Sequence, residues 1–266
     1  MKLGPDGLDI YQDTLKTMSN LSQPTIGPAI LRDEDKQIVR NLNLFRDMNA
    51  ERFDKLLNAA FLQRFPERVI LINEGEPSDF LHIVIDGCVE LFATLDGRES
   101  TMTVLSPVST FILAAVLKDA VYLMSARTRT ASRVLMIPAK NVRQAMVDDD
   151  AFARSIVAEL ANCYRGVVRN QKNLKLRTGV ERLASYLAHQ HVRQGAKGKL
   201  TLPIDKKTLA SMLGMTPENL SRSFSTLRRA GVKVTGPEVA VQSHDELIEI
   251  ARHAPLIDNF PDKPAE

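Results

Sequence analysis

The apolar positions of this chain change their period twice along its length, and each change marks a different kind of structure. Asp33–Val39 and Ala50–Phe61 repeat at helical spacing and predict two leading helices. From Arg64 to Pro138 the pattern shortens to β-type runs: Val69–Ile72, Phe80–Ile85, Val89–Thr94, Thr101–Leu105, Val121–Met124 and Val134–Ile137. The runs break at Asn73-Glu74-Gly75-Glu76-Pro77, Asp86-Gly87, Asp96-Gly97 and Ser106-Pro107. Evenly spaced strands with glycine at three turns predict a compact antiparallel sandwich or barrel.

The pattern is helical again from Asn141. Asp148-Asp149-Asp150 places capping carboxylates where a helix dipole favours negative charge. Ile156, Leu160, Cys163, Val167, Asn170 and Leu174 then recur at spacings of 4, 3, 4, 3 and 4. That is the seam of a coiled-coil dimer, with one polar Asn to fix its register. The same stripe also suits a helix packed against its own barrel. A further helix, Gly179–Val192, follows.

Beyond it lie two short amphipathic helices around a turn. Leu209, Ala210 and Leu213 mark the first, and the turn falls at Gly214-Met215. Thr216-Pro217 opens the second with a capping hydroxyl and a proline at the first helical position. Leu220, Phe224 and Leu227 form its inward stripe, while Glu218, Asn219, Ser221, Arg222, Ser225 and Arg228 face outward. Val232–Thr235 and Val239–Gln242 flank Gly236-Pro237-Glu238 as a hairpin. A helix-turn-helix followed by a hairpin is a winged helix, and the outer face from Thr216 to Arg228 has the donors to meet base edges in a major groove.

Charge sharpens this division. Residues 165–252 carry 16 Lys/Arg against 7 Asp/Glu, whereas residues 1–164 carry 18 against 22. A basic C-terminal module on a mildly acidic N-terminal one suits phosphate binding by the former. The expected class is α+β. Residues 1–30 form a flexible extension, 31–140 an effector-sensing β-barrel, 141–176 a dimerisation helix, 177–254 the winged helix and 255–266 a loosely held tail. There is no apolar run of 18 residues and no basic start followed by an apolar stretch, so a cytoplasmic protein without membrane contact is expected. Two cysteines, Cys88 and Cys163, make neither a disulfide framework nor a multi-cysteine metal site.

Barrel, long helix and winged helix in this order resemble the CRP/FNR family of bacterial transcription regulators, over roughly residues 35–253. INEGEPSDFLHIVIDGCVELFATLDGRE, with Gly75, Gly87 and Gly97 at its turns, looks like the family's cyclic-nucleotide-binding-like jelly roll. Glu218, Ser221 and Arg222 match the E-x-x-S-R pattern of the FNR branch, and Pro217 stands where the CRP branch has an arginine. The resemblance implies a homodimer on double-stranded DNA, reading a TTGAT-like inverted repeat, and a contact with RNA polymerase if it activates. Arg222 would donate twice to a guanine, Glu218 would accept from a cytosine amino group, and Ser221 would meet the adjoining T·A pair. Glu218 and Arg222 are also spaced for an i,i+4 ion pair.

In the effector domain the chain departs from that pattern. Within PVSTFILAAVLKDAVYLMSARTRTA, Leu113 and Ala114 replace the family's Gly-Glu pair, and Met124-Ser125 replaces its Arg-Ser pair. Met124 removes the side chain that would pair with a cyclic phosphate. Val167-Val168 replaces the base-contacting Thr-Ser pair, so cAMP is not the expected effector. Residues 1–50 lack cysteine, which excludes a Cys-ligated iron–sulfur cluster. The resemblance implies a pocket lined by Leu91, Leu113, Ala114, Met124, Ser125, Val167 and Val168, suited to an apolar or haem-like effector. His82, His189 and His191 are the haem-ligand candidates; His82 also reads as an ordinary sheet histidine, and the other two as residues of a solvated helix end. Oxidation of Cys163 and an effector-free scaffold are the remaining alternatives. A cupin-like metalloenzyme would need about three converging ligands, and the barrel offers His82 alone, so no enzymatic activity is expected.

Overall fold

The structure, a computed structural model, describes residues 27–29, 31–195 and 198–258. Strand β1 (Gly27–Ala29) precedes α1 (Asp33–Arg40) and α2 (Ala50–Asn58), the latter capped by Asn49, which accepts from Arg52 N. The helix expected to run to Phe61 stops three residues earlier, because Phe61–Phe65 forms β2. Its backbone is held on both sides, by β1 and by a later strand, and that ladder outweighs local helical periodicity.

The sensor strands follow as β3 (Ile70–Ile72), β4 (Phe80–Asp86), β5 (Val89–Leu95), β6 (Arg98–Leu105) and β7 (Ser109–Phe111). After α3 (Leu113–Lys118) come β8 (Ser125–Thr128) and β9 (Ser132–Pro138). They form two antiparallel sheets, ordered β1-β2-β9-β4-β7 and β3-β8-β5-β6, the expected antiparallel sandwich of jelly-roll type. The strand expected at Val121–Met124 is corrected. Val121 makes a single bridge to Pro77, and the ladder begins at Ser125, where the chain pairs with both β3 and β5.

Alternation along β4 and β9 builds two cores. Val84 and Val134 face Ile72, Val89, Leu91, Phe111 and Ala126 between the sheets. Leu81, Ile83, Leu135 and Ile137 face outward onto helices, where Phe45 stacks on Phe152 at 5.6 Å between ring centroids. Fully burying each such side chain contributes about 1.5–3 kcal/mol.

Helix α4 (Ala139–Asp148) ends where Asp149 caps α5 (Asp150–Leu176), accepting from Phe152 N at 2.9 Å. The same carboxylate accepts from Asn49 N at 2.8 Å and so anchors α5 to the start of α2. The expected coiled-coil seam divides here. Ile156 is buried in the helix-facing core and Leu160 packs against it, so these two positions serve the chain's own domain. Cys163, Val167, Asn170 and Leu174 lie farther along, beyond the sandwich, and are exposed.

The last domain comprises α6 (Gly179–Arg193), β10 (Lys199–Thr201), α7 (Lys206–Met212), α8 (Pro217–Leu227), β11 (Val232–Thr235), β12 (Glu238–Val241) and α9 (His244–Ile250). Its sheet order is β10-β12-β11, and its core joins Leu183, Leu187, Leu209, Leu220, Leu227 and Leu247. The expected loose tail is held as far as Asp258. That carboxylate and Arg177 are each 3% exposed and pair directly, with a second contact of 2.7 Å, and Ser185 Oγ donates to the same carboxylate. Burying either ion alone would be far costlier than burying the pair. The expected flexible extension, residues 1–30, is corrected at Gly27–Ala29, which is held as β1 against β2, while residues 1–26 and 30 lie outside the described residues, as do residues 259–266.

Candidate nucleic-acid interface

The recognition helix is set by caps before it is set by packing. Asp205 accepts from Thr208 N at 3.0 Å and starts α7, and Gly214 turns the chain at φ +63°. Thr216 then accepts from Asn219 N, with Pro217 at the first helical position of α8. Leu220, Phe224 and Leu227 are buried, and Lys206 Nζ sits 5.9 Å from the Phe224 ring centroid.

All seven sequence-derived candidates, Thr216, Glu218, Asn219, Ser221, Arg222, Ser225 and Arg228, are exposed. The Thr216 hydroxyl, foremost, and the Glu218 backbone N–H hold the Glu218 carboxyl below its usual range, and the charge of Arg222 adds to this. An ionised Glu218 can only accept hydrogen bonds. Ser225 Oγ donates back to Ser221 O at 3.0 Å. Arg228 opens a 3₁₀ turn that leads into the β11–β12 hairpin, whose tip is Gly236.

Two cations escaped the sequence reading. Lys206 and Lys207 are exposed at the start of α7, and Lys207 shares a cleft of about 750 Å³ with Asn219, Arg222 and Thr226. Their signal was adjacency: two lysines directly after the capping Asp205. The far wall of that cleft is Glu99 and Ser100 of β6.

The candidate effector residues are dispersed. Leu91 and Met124 pack in the core between the sheets, Leu113 packs in the other core, and Ala114 is exposed. Ser125 Oγ accepts from Glu74 N at 3.0 Å, tying β8 to the preceding turn. Val167 and Val168 sit on the exposed stretch of α5.

His82 is wholly enclosed, stacked on Phe111 at 5.2 Å and edge-on to Phe80. Burial pushes its pKa down to about 4, and its Nδ1 has no partner among the described residues. A ring so enclosed does not fit a haem ligand in this arrangement. His191 is not on a solvated helix end as expected: it is buried, with Nδ1 3.2 Å from His244 Nδ1 and Nε2 accepting from Gly198 N. His189 is half-buried. Burial lowers the pKa of both. Among the described residues no three His, Cys, Asp or Glu side chains are grouped to hold a metal ion, and no helix is long and apolar enough to cross a membrane.

Two protein families match separate segments of the chain. The cyclic nucleotide-binding domain family matches residues 62–149, and the Crp-like helix-turn-helix domain family matches residues 181–250. A solved structure from Silicibacter pomeroyi DSS-3, described as a candidate cAMP-binding regulatory protein, is 31% identical. It covers 84% of this chain and 100% of its own, with a TM-score of 0.58. FixK2 from Bradyrhizobium japonicum shares the fold at 22% identity, covering 73% of this chain and 98% of its own, with a TM-score of 0.65. A CRP-like cAMP-activated global transcriptional regulator of Mycobacterium tuberculosis is 24% identical over 71% of this chain and 87% of its own length. The transcriptional activator protein FnrA of Stutzerimonas stutzeri is 22% identical over 64% of this chain and 72% of its own. The chain belongs to the CRP/FNR family and is a DNA-binding transcription regulator.

Proposed function

We propose that the protein acts as a cytoplasmic homodimer on a TTGAT-like inverted repeat under the control of an effector other than cAMP. The observation that carries the operator is the capped, exposed face of α8, on which Glu218, Ser221 and Arg222 stand free of the domain core. Arg222 can take both acceptors of a guanine, and Glu218 the amino group of a cytosine. The exposed Cys163, Val167, Asn170 and Leu174, with Tyr164 and Val168 beside them, support pairing with a second copy along α5. Two half-sites then fall about one helical turn apart. RNA polymerase is a partner if the protein activates.

The effector reading rests on Met124 and Ser125. A cyclic phosphate needs a cation, and Met124 offers none, while Ser125 already accepts from Glu74 N. Although a relative carries the name cAMP-activated, that activity does not extend to this chain on our reading. The close-packed core between the sheets, with Val84, Val89 and Ala126 at zero exposure, favours one second reading: a scaffold that takes no effector.

Titration of the purified protein against a labelled TTGAT palindrome and a scrambled control at physiological salt tests the operator. The palindrome is expected to bind more tightly than the scrambled control. Equal, weak binding to both would remove the assignment. Thermal stabilisation by cAMP, which a true effector produces, would remove the non-cAMP reading.

A further inference from the structure

We propose that the cleft between α5 and α6 is a binding site for a small dianion, a phosphate or a short dicarboxylate, held by Arg169 and Arg193. The cleft measures about 240 Å³ and lies near the C-terminal end of α5. Half-buried Arg169 enters it from α5. Arg182, Tyr186, His189 and Arg193 enter from α6, and their spacings of 4, 3 and 4 place them on one face of that helix. Asn170, on the stretch of α5 assigned to the second copy, borders the cleft and is not part of the ligand set. None of the described residues lining it comes from α8, the β11–β12 hairpin or either sensor sheet, so it is separate from the groove-facing surface.

The charges of this lining do not balance. Among the described residues its one carboxylate is Asp258, and that group is fully engaged: Arg177, Ser185 Oγ and Ala254 N all donate to it. Arg169, Arg182 and Arg193 pair with no carboxylate among the described residues. Arg182 turns its nitrogens to the carbonyl oxygens of Leu213, Arg177 and Gly214, so its charge stays uncompensated, and burial lowers its pKa. Burial, foremost, and the charges of Arg193 and His253 hold His189 below its ordinary value, against the opposing charge of Asp258. The Tyr186 hydroxyl, pushed up to about 12 by burial, remains a donor. A dianion supplies what is missing: the guanidinium forks of Arg169 and Arg193 suit its paired oxygens, and its charge offsets theirs. Size narrows the class, because pockets for drug-sized ligands run to about 300–1,000 Å³ and this cleft is smaller. It admits a compact anion and excludes a whole nucleotide.

Calorimetric titration of the full chain with inorganic phosphate and with succinate, each against sodium chloride at matched ionic strength, tests the site. At least one of the two should bind the parent and raise its thermal midpoint, and the one that does so identifies the ligand as phosphate or dicarboxylate. In R169Q/R193Q that affinity should fall at least about tenfold, because charge-assisted hydrogen bonds are lost. R193Q alone, altered only at an exposed side chain, should lose part of it. An equal response in parent and double variant would place the anion elsewhere and overturn the proposal. A parent that responds to neither anion beyond its response to chloride would overturn it as well. If that parent also binds a random duplex more tightly than R169Q/R193Q does, the two arginines are contacts of the DNA backbone instead.

Discussion

Arg182 donates from Nε to the carbonyl oxygen of Leu213 at 2.8 Å, joining the first helix of the winged domain to the turn before the recognition helix. The same guanidinium donates to Arg177 O at 2.7 Å and to Gly214 O at 3.3 Å. One side chain thus holds both the hinge after α5 and the helix-turn-helix turn. Arg182→Ala should destabilise the domain by about 1–3 kcal/mol, since partly buried carbonyls lose their donor. Arg182→Lys should not restore it, because an ammonium lacks the planar fork. Urea midpoints of the three proteins check this.

Gly214 and Gly87 both adopt positive φ, but alanine should cost more at Gly87. A Cβ at Gly214 would come 2.8 Å from Leu174 Cδ2, the movable end of a side chain. The expected cost there is the backbone strain, about 1–2 kcal/mol. At Gly87 a Cβ would lie 2.3 Å from Ser132 Oγ and 2.5 Å from the Ala131 carbonyl oxygen. Backbone cannot step aside, so Gly87→Ala should lower the thermal midpoint distinctly further than Gly214→Ala.

His82 should make the fold acid-sensitive. Its pKa falls from 6.5 to about 4 on burial, so between these values the unfolded chain binds the extra proton. Its contribution is complete above pH 6.5, shrinks as pH falls, and is gone below about pH 4, a total of about 3 kcal/mol. His189 and His191, also lowered by burial, add a slope of the same sign. His82→Phe should keep the stack on Phe111 and flatten part of the dependence. Urea midpoints between pH 7.5 and 5 measure it, and an unchanged slope in the variant would contradict the assignment.

Arg222→Ala should lose about 1–3 kcal/mol of discrimination at one G·C pair of each half-site. Against an operator with that pair changed to A·T, wild type should weaken and the variant should not. Uniform weakening on every duplex would make Arg222 a phosphate contact instead.

The recognition helix could be read directly because its signals are local. A capping Thr216, the proline after it and the Leu220, Phe224, Leu227 stripe all act within one helical turn or two. The Asp149 cap was legible for the same reason. Strand β8 was not: Ser125-Ala126-Arg127-Thr128 has no alternating apolar run, and only its two neighbours make it a strand. The α5 stripe misled at Ile156 and Leu160 because a helix seam looks alike whether a second copy or the chain's own core covers it. The buried Glu90 of β5 was silent, since Thr101, Arg127 and Arg129, which donate to its carboxylate, lie 11 to 39 residues away.

The buried pairing of Arg177 with Asp258 has a consequence for where this domain ends. Both residues lie outside the segment 181–250 that matches the helix-turn-helix family. A polypeptide cut to that segment would keep every groove-facing side chain, yet it would lose the ion pair that fastens the hinge to the chain beyond α9. Similarity therefore delimits the reading head, whereas the cooperative folding unit is wider, and its two outermost charges serve as the clasp.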